Sequence, residues 1–131
     1  MTKKRIISAL TIVSFAVVFN GGCYKGTTLD LTSELEITGD VTFTANVIPI
    51  LEERCAISGC HNSNGISPDL TSDKAFNSLV NGQYIDLASP EQSLVYQFVS
   101  GKRSPAMPVG GTDPTIAATI LAWIQQGAQN N

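Results

Sequence analysis

Two thiols and one imidazole lie close together in the middle of this chain. Four residues separate Cys55 from Cys60, and His61 directly follows the second Cys. Three kinds of chemistry use such a set. The thiols could close a small disulfide, the three side chains could contribute to a zinc site, or the thiols could attach a haem while the imidazole binds its iron.

Covalent haem attachment needs two thiols that add across two vinyl groups and an imidazole on the same side of the ring. A His directly after the second Cys meets this need, because the second thioether fixes the ring edge beside the ligand. The familiar spacing is C-x-x-C-H, whereas residues 55–61 read C-x-x-x-x-C-H. The intervening residues are small or flexible apart from Ile57, so we expect the wider loop still to bring Cys55 to its vinyl group.

A second axial ligand should be a soft sulfur or another imidazole. His61 is the only His of the chain, which excludes two His ligands from one chain, and Met107 is the only Met besides the initiator. Met107 is therefore the expected ligand, although a Met alone more often fills a gap in a core. The fallback ligands are Lys74, Tyr84, Tyr96 and Lys102. A zinc site would need a further protein ligand that the sequence does not offer.

Four helical segments should position these residues, and no segment shows sustained strand alternation, so we predict an all-α domain. The first helix covers roughly residues 43–54, with Pro49 causing a kink or a late start. The second covers roughly residues 73–80, with Ser72 as its cap and Gly82 near its end.

The third predicted helix has strong boundary signals. Ser89 is a suitable N-cap, Pro90 suits the first helical position, Gln92 completes a capping box, and Gly101 ends the helix. Its apolar residues, which form a paired stripe, are Leu94, Val95, Phe98 and Val99.

The fourth predicted helix begins after the cap Asp113 and stops at Gly127. It follows a long connection, about residues 100–112, that contains Met107. Such a connection inside a small domain is usually functional. The residues expected on the buried face of this helix are Ile116, Ile120, Trp123 and Ile124.

The beginning of the chain has the pattern of a bacterial lipoprotein signal. Residues 3–5 are basic, residues 6–19 form an uncharged apolar run shorter than the roughly 20 residues of a spanning helix, and Gly21-Gly22-Cys23 follows. Cys23 resembles the lipobox Cys, which becomes the first mature residue and carries lipid. The alternative is an ordinary cleaved signal that leaves Cys23 free.

These features divide the chain into a signal peptide (1–22), a flexible tether (23–40) and a folded domain (41–131). Beyond residue 22 the chain keeps five Lys and Arg residues and all eleven carboxylates, a net charge of −6. An acidic protein without a Lys/Arg cluster is a poor nucleic-acid binder. We expect it to meet a partner with a basic docking surface and to attach to a membrane through its lipid.

The ordered set of motifs resembles the class I cytochrome c family, especially small single-haem domains of exported bacterial proteins, including those of planctomycete-type cytochromes. The matching segments are VIPIL before the Cys pair, Cys55 with Cys60-His61, SLVY, Met107-Pro108 and the closing WIQQGA. The resemblance covers about residues 43–129. It implies about four helices around one haem c, thioethers on both Cys residues, and His61 and Met107 as axial ligands.

The same resemblance implies that the last helix packs against the first and that the Pro68 carbonyl orients His61. Trp123 should pack on or near the porphyrin. Lys102 and Arg103 either pair with a haem propionate or belong to a solvated loop.

The predicted function is electron transfer rather than catalysis, because no paired carboxylates suggest acid/base chemistry and there is no second His. We expect export to the periplasmic side or the cell surface. The outer membrane is favoured because Tyr24, rather than Asp, follows Cys23. The alternatives are a haem peroxidase or gas-binding domain, and a disulfide-stapled lipoprotein that binds partners without haem.

Overall fold

A computed structural model describes residues 35–131 of the chain. No described residue lies in a β-strand, which confirms the all-α class. In chain order the elements are a π-helical turn (Phe43–Val47), α1 (Ile48–Arg54), α2 (Ala75–Asn81), a 3-10 turn (Pro90–Gln92), α3 (Leu94–Val99) and α4 (Pro114–Gln125). The predicted signal peptide, the lipidation site Cys23 and most of the predicted tether lie outside the described residues.

The first predicted helix forms in two parts. Thr42 caps the π-helical turn, since its hydroxyl accepts a hydrogen bond from the Ala45 N–H. The α-helical part then begins at Ile48 with Pro49 in its first turn. Proline is tolerated there because the first N–H groups of a helix have no intrahelical acceptor. The late start expected from Pro49 is therefore confirmed.

The second helix starts later than predicted, and Ser72 does not cap it. The N-cap position is Lys74, without a side-chain cap hydrogen bond. Asp69 instead accepts hydrogen bonds from the N–H and the hydroxyl of Thr71, at 3.1 and 2.6 Å. The Thr71 carbonyl accepts from the N–H groups of Lys74 and Ala75, so a turn occupies the predicted first residues. Gly82 ends the helix as predicted.

The third predicted helix is divided at Ser93. This residue has an extended backbone (φ −55°, ψ 128°) between the 3-10 turn and α3. Its buried hydroxyl accepts a hydrogen bond from the Asp86 N–H at 2.9 Å and donates one to the Asp86 carbonyl at 3.3 Å. Ser89 makes no side-chain cap bond, so the predicted capping box is wrong. Gly101 follows the C-cap with φ +76°, as its predicted role requires.

The fourth helix agrees with the prediction. The Asp113 carboxylate accepts hydrogen bonds from the N–H groups of Thr115 and Ile116, and Pro114 is the first helical residue. Gly127 lies just beyond the last turn with φ +98°. All four residues expected on the inner face are buried: Ile116, Ile120, Trp123 and Ile124.

An aromatic cluster joins the first and last helices. The ring centroids of Phe43 and Trp123 lie 5.0 Å apart, and Phe76 from α2 meets Phe43 edge-on at 5.4 Å. The Trp123 indole N–H donates to the Gln129 carbonyl at 2.9 Å. The expected packing of the last helix against the first is therefore present.

The end of the chain also holds the start of the first helix. The Asn131 side chain and backbone carbonyl accept from the N–H groups of Phe43 and Thr44, which are donors without an intrahelical acceptor. Gln126 accepts from the Val41 N–H and donates to the Gly39 carbonyl. Ile37 packs against the core, so contacts to the folded domain begin before residue 41.

Candidate functional site

All four residues predicted to hold a cofactor line one cavity of about 350 Å³. Cys55, Cys60 and His61 reach it from the end of α1 and the following loop, and Met107 reaches it from the connection between α3 and α4. These two parts of the chain are far apart in sequence, so their meeting is a property of the fold.

The loop between the two Cys residues is compact despite its four-residue spacing. Cys55 is the C-cap of α1, and its N–H donates to the Leu51 carbonyl. Beyond it the Cys60 N–H donates to the Ile57 carbonyl at 2.9 Å, with Gly59 at φ +79° inside this turn. The His61 N–H then donates back to the Cys55 carbonyl at 3.0 Å. The two residues by which this spacing exceeds C-x-x-C-H are thus accommodated in a turn, and both Cys residues still line the cavity.

The two thiols differ in their surroundings. Cys55 is buried and Cys60 is half-buried, and both are free cysteines. Burial raises the pKa of the Cys55 thiol, because the thiolate loses its hydration; the neighbouring Arg54 guanidinium opposes this rise and Cys60 adds to it. Cys55 is therefore held mainly as a thiol, in an apolar setting beside one cation.

Backbone carbonyls fix the imidazole of His61. Its Nδ1 lies 3.0 Å from the Ile66 carbonyl oxygen and 3.2 Å from the Pro68 carbonyl oxygen. Carbonyl oxygens only accept hydrogen bonds, so Nδ1 carries the proton and the lone pair is left on Nε2. The bond to Pro68 is the one that the family resemblance implied. This imidazole is prepared to bind a metal through Nε2.

The connection that carries Met107 is held to α3 by its backbone. The Met107 N–H donates to the Phe98 carbonyl at 2.9 Å, and the Arg103 N–H donates to the Gln97 carbonyl at 3.0 Å. Met107 is half-buried. These bonds bring the thioether to the same cavity as the imidazole, on a segment anchored at two points.

The wall of the cavity is mostly apolar. It contains no Asp or Glu residue. Besides the predicted ligands, its polar residues are Arg54, Ser67 and Tyr84. The rest of the lining is aliphatic, aromatic or proline: Leu51, Ile57, Ile66, Pro68, Leu70, Leu79, Val95, Phe98, Val99, Pro105, Pro108 and Val109.

Several residues expected at the site lie elsewhere. Trp123 is core, as predicted, and it is not part of the cavity lining. Lys102 and Arg103 are also outside the lining. Lys102 contacts Tyr96 and Glu91, and Arg103 lies over the Phe98 ring. Of the fallback ligands only Tyr84 lines the cavity.

Arg54 is a cavity residue that the sequence reasoning did not select. It ends α1, directly before Cys55. Its position directly before Cys55 was the available signal, since any residue next to Cys55 had to lie near the site.

Residues 35–131 contain neither a metal-ion cluster nor a helix that could span a membrane. No group of three or more His, Cys, Asp and Glu side chains in this range is arranged to hold a metal ion, so Cys55, Cys60 and His61 do not form a zinc-type cluster. No helix in the same range is long and apolar enough to span a bilayer.

Comparisons of the chain with protein-family models, curated proteins and solved structures found no match.

Proposed function

We propose that this chain is an electron-transfer protein with one covalent haem c, held between His61 and Met107 in a cytochrome c-like helical domain. One observation carries the proposal: two thiols, an imidazole and a thioether line the same apolar cavity. A His/Met pair gives a higher reduction potential than two His ligands, which suits an electron carrier.

Each side chain has a defined task in this proposal. The thiols of Cys55 and Cys60 would hold the haem covalently, each through a thioether to a former vinyl group. His61 would bind the iron through Nε2, while its Nδ1–H stays on the carbonyls of Ile66 and Pro68. The weak Met107 thioether is held in place by its backbone bond to Phe98. The haem, when bound, would supply the one-electron chemistry.

The residues of the cavity wall favour an electron-transfer protein over an enzyme that uses acid/base catalysis. General acid/base catalysis needs a proton-transferring side chain within hydrogen-bond reach of the reacting group. No carboxylate lines this cavity, and its single imidazole is assigned to the iron. A peroxidase or gas-binding domain would instead require that Met107 stay off the iron.

Export and lipid attachment belong to the same proposal. The signal features of residues 1–22 and the lipobox-like Cys23 would place the domain on the periplasmic side or the cell surface, anchored by lipid and acidic enough to meet a basic partner surface. Incorporation of labelled fatty acid into the wild type but not into Cys23→Ala tests the anchor. Equal labelling of the two proteins would contradict it.

Optical spectra of the purified protein test the haem proposal. We expect c-type bands from the reduced protein that persist after denaturation, and a near-infrared sulfur-to-iron band from the oxidised protein. A high-spin or five-coordinate spectrum would favour the enzyme alternative. A colourless protein with a Cys55–Cys60 disulfide would favour the stapled lipoprotein and contradict the proposal.

A further inference from the structure

Charge is distributed unevenly between the cavity and the rest of the domain. Residues 35–131 contain nine carboxylates and only four Lys and Arg residues. No carboxylate lines the cavity, whereas Arg54 does. The wall of an acidic domain therefore offers a single cation and no negative side chain. A ligand with an anionic edge would meet attraction there instead of repulsion.

The other three cations of the described range lie outside the cavity lining and contact other groups. Lys74 pairs with Asp69 at 3.4 Å. Lys102 donates to the Tyr96 hydroxyl at 3.2 Å and lies 3.9 Å from Glu91. Arg103 lies over the Phe98 ring, 5.4 Å from its centroid. Arg54 is thus the cation that the fold places at the cavity.

The position of Arg54 also links it to the attachment chemistry. It directly precedes Cys55, and both residues line the same cavity. In haem, each vinyl-bearing pyrrole is adjacent to one propionate-bearing pyrrole. A long Arg side chain next to a thioether can therefore reach a carboxylate on the same edge of the ring, and its planar fork suits a two-point bond to it.

We propose that Arg54 binds a propionate of the haem and so sets the orientation and the reduction potential of the cofactor. This inference rests on the proposed haem function. The positive charge favours the reduced iron and keeps the propionate ionised. Arg54 is a positioning residue, because it acts on the iron through the propionate and the field of its charge.

Redox titration of the haem-loaded wild type and three variants tests this role. Arg54→Gln removes the cation, Arg54→Lys keeps the charge without the planar fork, and Arg103→Gln is a matched loss of charge outside the cavity. The midpoint potential of each protein is measured from pH 5 to pH 9. The titratable side chains in the lining, besides Arg54, are Cys55, Cys60, His61 and Tyr84, and all four are unchanged in every variant.

We expect Arg54→Gln to lower the midpoint potential and to add a pH-dependent segment, because the propionate then binds a proton at higher pH. Arg54→Lys should restore most of the wild-type potential, and Arg103→Gln should leave both the potential and its pH profile unchanged. A haem-containing Arg54→Gln protein with the wild-type profile, or a larger shift in Arg103→Gln, would overturn the role of Arg54 alone. A wild type without haem would overturn the proposed function as well.

Discussion

The Pro68 carbonyl oxygen lies 3.2 Å from Nδ1 of His61, and the Ile66 carbonyl oxygen lies 3.0 Å from the same atom. Further along the same segment, the Leu70 N–H donates a hydrogen bond to the His61 backbone carbonyl at 2.8 Å. The segment after the second Cys therefore wraps around the imidazole and holds its tautomer. This is the support that a metal-binding His normally needs.

The tautomer of His61 can be observed directly, because His61 is the only His in the chain. We expect the nitrogen NMR spectrum of the reduced protein to show a single imidazole that is protonated at Nδ1, since both acceptors near that atom are carbonyls. A proton on Nε2 instead would contradict the ligand role of His61.

Met107→Ala should lower the reduction potential and remove the near-infrared sulfur-to-iron band, because the thioether ligand raises the potential. Covalent haem content should not change, since the two thioethers are intact. Redox titration and absorption spectra measure both effects. A wild type without this band, together with a Met107→Ala protein that keeps the wild-type potential, would show that another residue binds the iron, and Tyr84→Phe then tests the remaining fallback ligand in the cavity.

Trp123→Phe should reduce the free energy of unfolding by about 1–3 kcal/mol, because the Gln129 carbonyl loses its indole donor and the core loses volume. Trp123 is only 1% exposed and does not line the cavity. The haem spectrum of the variant should therefore match that of the wild type. Denaturant titration with spectra of the native protein tests both parts. A Trp123→Phe protein with a changed haem spectrum and wild-type stability would contradict this prediction.

The loop that follows Pro68 should weaken in acid. The hydroxyl of Thr71 holds the pKa of the Asp69 carboxyl below its ordinary value, with help from the Thr71 N–H and from Lys74. Because the folded pKa is lowered, the stabilisation is complete above the ordinary pKa near 3.8 and is lost as pH falls through the lower folded value.

The stability difference between the wild type and Asp69→Asn should therefore be present at neutral pH and vanish in strong acid. Denaturation midpoints at several pH values measure it. Thr71→Val removes the hydroxyl donor but keeps the carboxylate. Its stability difference from the wild type should change over the same pH range, by less than that of Asp69→Asn. A difference that persists at the lowest pH would contradict this origin.

The sequence predicted those parts of the fold that depend on local signals. α4 is one example, since Asp113 accepts from its first N–H groups and Gly127 takes a positive φ beyond its last turn. The apolar spacing of this helix also predicted its buried face. Such signals act within a few residues and can be read without the rest of the structure.

The helix errors arose where a second nearby hydrogen-bond partner competes with the expected one. Ser89 and Gln92 have a capping-box pattern, but the Asp86 carboxylate accepts from the Ser89 N–H, and the Ser93 hydroxyl bonds to the Asp86 backbone. These bonds divide the helix. Arg54 was missed at the site because the sequence reasoning did not use its position directly before Cys55.

Mass analysis of the denatured protein tests the central claim most directly. After unfolding and acid–solvent extraction of any loosely held haem, the peptide that contains residues 55–61 should carry the mass of one haem. Cys55→Ser and Cys60→Ser should each leave a single thioether, and the double variant should release the haem completely. A wild-type peptide with unmodified thiols, or with a Cys55–Cys60 disulfide, would contradict the assignment of this cavity to haem.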